Sequence, residues 1–211
     1  MKKIEEEFEL DDIIDALTDN VKEDVKDFND VINLDGALNR EIFIGDVVAG
    51  LGQTVDAYIR FWNKKDNEQN IPVADRKPIR IYIDSCGGSL TDAFTIIDAI
   101  NLSETPIHTI VTGSAYSAGF FISITGHKRY AYPLASFLYH EGSATNGGTA
   151  NQFQNFTEFY KKQLKQLKVH TLACTKMDED FYENIKRDDY WMTAEEALAL
   201  GCFDEICESL R

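Results

Sequence analysis

The chain has 211 residues, 44% of them hydrophobic, enough to bury one substantial core and too few to require two. Its formal net charge of -15 repels phosphate backbones and anionic bilayers, so nucleic acid and membrane are poor partners and peptides, proteins or small neutral molecules are expected. Four cysteines without C-x-x-C spacing (Cys86, Cys174, Cys202 and Cys207), and no N-terminal apolar run, predict reduced thiols, no signal peptide and a cytoplasmic location.

In chain order, residues 1–30 are set apart by charge: twelve Asp or Glu against four Lys, a net of -8. Within them Leu10, Ile13, Ile14, Leu17, Val21, Val25 and Phe28 recur at helical spacing, predicting an acidic amphipathic helical segment whose narrow apolar stripe must dock on its own domain, a sister subunit or a partner. From residue 31 onward, elements alternate through 211. Ile42-Phe43-Ile44 reads as a short strand, Leu51, Val55, Tyr58, Ile59 and Trp62 as a helical face, and 64–78 as a polar connection. IRIYIDS then alternates Ile79, Ile81 and Ile83 with polar neighbours, ends at CGGS, and gives way to the helical pattern LTDAFTIIDAI, where Ser89 and Asp92 have the spacing of a capping box.

IHTIVTG (107–113) is the next strand and runs through SAYSA into the apolar GFFISIT. RYAYP and ASFLYH follow, then a long polar-faced helix from about Asn151 to Cys174, a shorter one near Asp180–Arg187, a capped helix opening at Thr193-x-x-Glu196, and a closing strand in CFDEICE. Strands alternating with helices favour right-handed βαβ crossovers and a largely parallel sheet, with a site beyond the carboxyl ends of the strands.

Three features fall where that rule puts a site. A serine follows strand 107–113, at the start of an apolar helix whose first amides can stabilise an anion. His140 ends ASFLYH, and Gly87-Gly88 ends IRIYIDSC, where backbone free of side chains admits a substrate chain. Singly, each has a plainer reading as a cap, a turn or a satisfied polar residue, and together they suggest nucleophilic catalysis. The small residues of TGSAYSAG resemble a nucleophile elbow, but Ala115 stands where G-x-S-x-G needs glycine, and residue chemistry alone leaves Ser114 and Ser117 as alternatives.

Taken in order, IYIDSCGGSLTDAFTIIDAI, TGSAYSAGFFI, KRYAYPLASFLYHEG and RDDYWMTAEEALALGCFDEI resemble the successive signature blocks of the ClpP family of self-compartmentalising serine peptidases, over about Leu38 to Ile206. This resemblance implies an α/β, ClpP/crotonase-like fold: a mostly parallel sheet of repeated ββα-type units with a protruding handle helix, here about 151–174. It implies Ser117 as nucleophile, His140 as general base and Asp189, rather than its neighbour Asp188, as the carboxylate orienting the base. Gly88 and Ala118 would supply the oxyanion hole, and the backbone of Gly87, Gly88, Ser89 and Leu90 would pair with an extended peptide. It further implies peptide or unfolded-protein substrates and a homo-oligomer of stacked heptameric rings.

Such chemistry needs no metal or organic cofactor, and the chain has no G-x-x-x-x-G-K-[ST] loop for ATP. The departures are Cys86 where the family commonly has proline, Ala118 where methionine is frequent, and Glu141 after the base. The acidic segment 1–30 does not match the family's short axial segment, which counts against the usual ATP-dependent unfoldase partner. Competing readings are an acyl-CoA enzyme on the same fold, an inactive structural subunit of a peptidase ring, and a viral head-maturation protease.

Overall fold

The computed structural model describes Gly36 and residues 38–210. The acidic segment 1–30, and with it the expected amphipathic helix, lies outside the described residues. From Arg40 onward the chain forms one compact unit, with the alternation of elements expected: β1 (Glu41–Ile44), α1 (Leu51–Glu68), β2 (Ile79–Ser85), α2 (Leu90–Leu102), β3 (Ile107–Tyr116), α3 (Ala118–Ser123), β4 (Lys128–Ala131), β5 (Ser136–Tyr139), α4 (Ala150–Cys174), α5 (Glu179–Ile185), β6 (Tyr190–Thr193), α6 (Ala194–Ala199) and β7 (Glu205–Ile206).

β1, β2, β3, β4 and β7 run parallel in that order, and β5 pairs with β3 in parallel and with β6 antiparallel. This is the α/β architecture expected for the ClpP fold. β2 shows why the strand forms: Ile79, Ile81 and Ile83 are fully buried while Arg80 and Tyr82 between them are only half-buried, the period-2 pattern of a pleated strand packed on one face. Each buried Ile contributes about 1.5–3 kcal/mol of hydrophobic stabilisation. Beside them Ile107, Val111, Ala115, Ile96, Ile100, Phe120 and Ile122 close the core between the sheet and helices α1, α2 and α3.

Several boundaries differ from the sequence reading for physical reasons. α1 continues to Glu68, its polar last turns supported by the pairs Lys64–Glu68 (i,i+4) and Lys65–Glu68 (i,i+3). β3 does not stop at Gly113. Its first half pairs with β4 (His108↔Lys128 to Val111↔Ala131), and then Ser114, Ala115 and Tyr116 exchange that partner for Ser136, Phe137 and Leu138 of β5. The segment rich in small residues is therefore strand until Tyr116, and α3 is only six residues long.

The Ser89–Asp92 capping box is half-formed. Ser89 Oγ accepts from Asp92 N, but Ser89 N is taken by Val47 O and the Asp92 carboxylate instead accepts from Gly50 N and Gly52 N at the start of α1. Both halves of the box are present at Thr193–Glu196. α4 buries only Leu167 and Thr171 among its 25 residues, and Phe153 and Phe159 near its start are more than half exposed.

Candidate active site

Strand pairing brings the candidate residues together. Because Tyr116 is in register with Leu138, and Ser117 N donates to Leu138 O at 3.0 Å, the end of β5 lies alongside the end of β3 and delivers His140 beside Ser117. The antiparallel pair β5–β6 matches Tyr139 with Tyr190, so the next position outward sets His140 opposite Asp189. His140 Nδ1 lies 3.3 Å from Asp189 Oδ1; Asp188, one residue further, has no such contact among the described residues.

Ser117 has φ 54° and ψ -119°, a left-handed conformation that a non-glycine residue adopts only when its surroundings enforce it. What enforces it is close packing on both sides. A Cβ on Gly87 would stand 2.7 Å from Ser117 Cβ and 2.9 Å from Tyr116 O, and one on Gly119 would stand 2.9 Å from Ser85 Cβ. Buried Ser85 in turn accepts from Gly87 N at 3.1 Å. Small residues around the serine are thus a condition of the turn.

The two serines that residue chemistry left as alternatives have different surroundings. Ser114 Oγ donates to Asp84 Oδ1 at 2.7 Å, and the same carboxylate oxygen accepts Ser114 N at 2.8 Å. Ser117 instead lines a cavity of about 390 Å³ together with His140, Gly88, Leu90 and Ala118. His140 lines the same cavity, and its Nε2 is buried with no hydrogen-bond partner among the described residues.

Two main-chain donors lie at the same place. Val47 forms a parallel bridge with Gly88 through Val47 N to Gly87 O (2.7 Å) and Ser89 N to Val47 O (2.6 Å). A parallel bridge of this kind uses the groups flanking Gly88 and turns Gly88's own N–H and C=O to the opposite side. Gly87 and Ser89, expected to pair with an extended peptide, have both backbone groups engaged, since Gly87 N also donates to Ser85 Oγ and Ser89 O accepts from Ala93 N; the groups left are those of Gly88 and the N–H of Leu90, the first residue of α2. Gly88 has φ +136°, and a Cβ there would stand 2.3 Å from Val47 O, so the bridge requires glycine. Ala118 opens α3, so its N–H has no carbonyl one turn behind it.

The far wall of the cavity belongs to α4 and α3: Phe121, Phe156, Tyr160, Gln163 and Leu167. Tyr160 Oη donates to Glu141 O at 2.7 Å and so ties the segment after His140 to the helix. The sequence reading did not single out Phe156 and Tyr160 as part of the site, because their i,i+4 spacing marks only a shared helical face and not what that face meets. Among the described residues no group of His, Cys, Asp and Glu side chains could hold a metal ion, and no helix is long and apolar enough to cross a membrane.

Comparison with known proteins agrees with this architecture. A profile described as Clp protease matches residues 70–210. The ATP-dependent Clp protease proteolytic subunits of Streptococcus pyogenes serotype M5 (strain Manfredo) and Streptococcus equi subsp. equi (strain 4047) are each 30% identical to this chain over 170 residues, covering 78% of it and 82% of the relative. The fold, the strand register around the cavity and these likenesses together place the chain in the Clp protease family, the serine peptidases of that name.

Proposed function

We propose that Ser117, His140 and Asp189 act as a Ser–His–Asp relay, and that the chain is an endopeptidase cutting extended peptides or unfolded proteins through an acyl-enzyme. The observation that carries this reading is the histidine: one ring nitrogen faces a carboxylate at 3.3 Å, the other is buried and without a hydrogen-bond partner among the described residues, and the ring belongs to a residue lining the same cavity as Ser117. An unsatisfied buried nitrogen is costly unless a hydroxyl or substrate group is to meet it.

In the reaction, neutral His140 takes the Ser117 proton through Nε2 as Oγ attacks the scissile carbonyl. Asp189 holds the tautomer with the proton on Nδ1 and stabilises the imidazolium. The carbonyl oxygen becomes an oxyanion facing Gly88 N and Ala118 N, and His140 returns the proton to the leaving amine. Water repeats the sequence to release the acid. An extended substrate would add a strand through the Gly88 main chain, opposite Val47. No step draws on a cofactor.

The proposed assembly is a homo-oligomer of stacked heptameric rings, in which the exposed Phe153 and Phe159 of α4 are covered by other subunits. Within it, residues 31–211 are the peptidase domain and 1–30 a separate segment, and short peptides would be cleaved without an ATP-dependent unfoldase. The test is a serine-reactive fluorophosphonate with fluorogenic peptides, read alongside the native mass. Labelling and turnover that vanish in Ser117→Ala are expected. A confirmed oligomer that neither labels nor cleaves would instead be a structural subunit.

A further inference from the structure

We infer that Glu141 makes this site selective for substrates that seat a Lys or Arg side chain in the cavity beside Ser117. The inference rests on the peptidase reading and adds the substrate class to it. Glu141 immediately follows His140 and lines the same cavity, and its backbone carbonyl is held by Tyr160 Oη, so its main chain is fixed relative to the base. Apart from His140 it is the one ionisable acid or base lining that cavity besides the Tyr160 phenol: among the described residues no Lys or Arg reaches the lining, and no cation pairs with Glu141.

The walls complete the recognition. Leu90, Phe121 and Leu167 offer apolar surface to a long methylene stem. Phe156 and Tyr160, one turn apart on α4, present rings stacked 6.2 Å apart and 11° from parallel on the same cavity, a surface on which an ammonium or guanidinium is attracted. The charge of Glu141 reaches this wall, where after burial it is the next cause that raises Tyr160 above the ordinary phenol value, and it reaches Tyr139 and Tyr182 outside the cavity as well. An anionic side chain would meet the carboxylate and gain nothing from the rings. A neutral aliphatic one would bury the same stem and leave the carboxylate without a counter-charge.

The test uses the full chain and a set of otherwise identical fluorogenic peptides whose residue on the amino side of the scissile bond is Lys, norleucine or Glu. Lys over norleucine in kcat/KM is expected at about tenfold at low salt, the effect of one charge-assisted hydrogen bond in a half-open site, and the ratio should shrink at high ionic strength. Glu141→Gln should bring it close to one, and Glu141→Lys should move the preference toward the Glu peptide. These ratios are taken within one preparation, so the fraction of active enzyme cancels. Wild-type enzyme that cleaves the norleucine peptide as fast as the Lys peptide overturns the inference whether or not the variants fold, as does a ratio unchanged in Glu141→Gln. Turnover of no peptide, with no labelling of Ser117, overturns the peptidase reading itself, which is a distinguishable result.

Discussion

Replacing Gly87 with alanine tests the turn that carries the proposed nucleophile. The new Cβ would lie 2.7 Å from Ser117 Cβ and 2.9 Å from Tyr116 O, and neither is the free end of a flexible side chain. Ordinary carbon contacts are about 3.5–4.0 Å, so either the glycine strand or the serine turn must move by roughly 1 Å. The φ of +105° adds strain of about 1–3 kcal/mol for a residue with a Cβ, and overpacking about 1–3 kcal/mol more.

A loss of about 2–6 kcal/mol lowers Tm by on the order of 10 °C in a domain of this size and leaves it folded at room temperature. A displacement of 1 Å in a reacting group costs about a hundredfold in rate. Fluorophosphonate labelling and peptide turnover of Gly87→Ala should both fall by about that factor, with far-ultraviolet circular dichroism preserved at 20 °C. Gly45→Ala is the matched control: its added Cβ meets nothing within 4 Å, and surface changes of that kind stay within about 0.5 kcal/mol. Gly87→Ala with wild-type labelling rate and Tm would refute the idea that packing against Gly87 holds Ser117 in its strained conformation.

Two further outcomes are expected. Asp189→Asn should lower kcat by about 10²- to 10⁴-fold by releasing the His140 tautomer, while Asp188→Asn stays within about threefold; equal effects in steady-state assays would contradict the assignment. Asp66, fully buried, accepts from both Arg40 Nη atoms and from Thr105 Oγ1. Burial pushes its carboxyl up, but those hydrogen bonds and the charges of Arg40 and Arg76 outweigh it and hold the group below its ordinary value. The folded state therefore binds fewer protons than the unfolded one: the stabilisation is complete above about pH 4 and is lost as pH falls through the lower folded value. Asp66→Asn should cost about 3–5 kcal/mol at pH 7 by stranding Arg40, and should flatten the acid limb of the Tm–pH curve; parallel curves for the two proteins would show that this pair does not set acid stability.

The period-2 pattern of Ile79, Ile81 and Ile83, the glycines that follow them and the 3.6-residue pattern of α2 and α4 are local properties, so the sequence by itself determined the order of strands and helices and the α/β class. The four signature blocks likewise named the family. Which of two serines lines the cavity, and which of two aspartates meets His140, is not local. Ser114 and Ser117 differ because β3 changes partner from β4 to β5, and because Asp84, thirty residues earlier in the chain, engages Ser114.

Asp188 and Asp189 differ by one residue of register between β5 and β6, which no single segment encodes; in a strand one step of register sends a side chain to the opposite face. Nor could the wall of the cavity be read along the chain, since Phe156 and Tyr160 carry the same helical spacing whether they meet another subunit or the residues beside Ser117. Tertiary structure decided these points because each depends on which distant backbone groups pair, and hydrogen-bonded pairing between strands settles face, neighbour and register together.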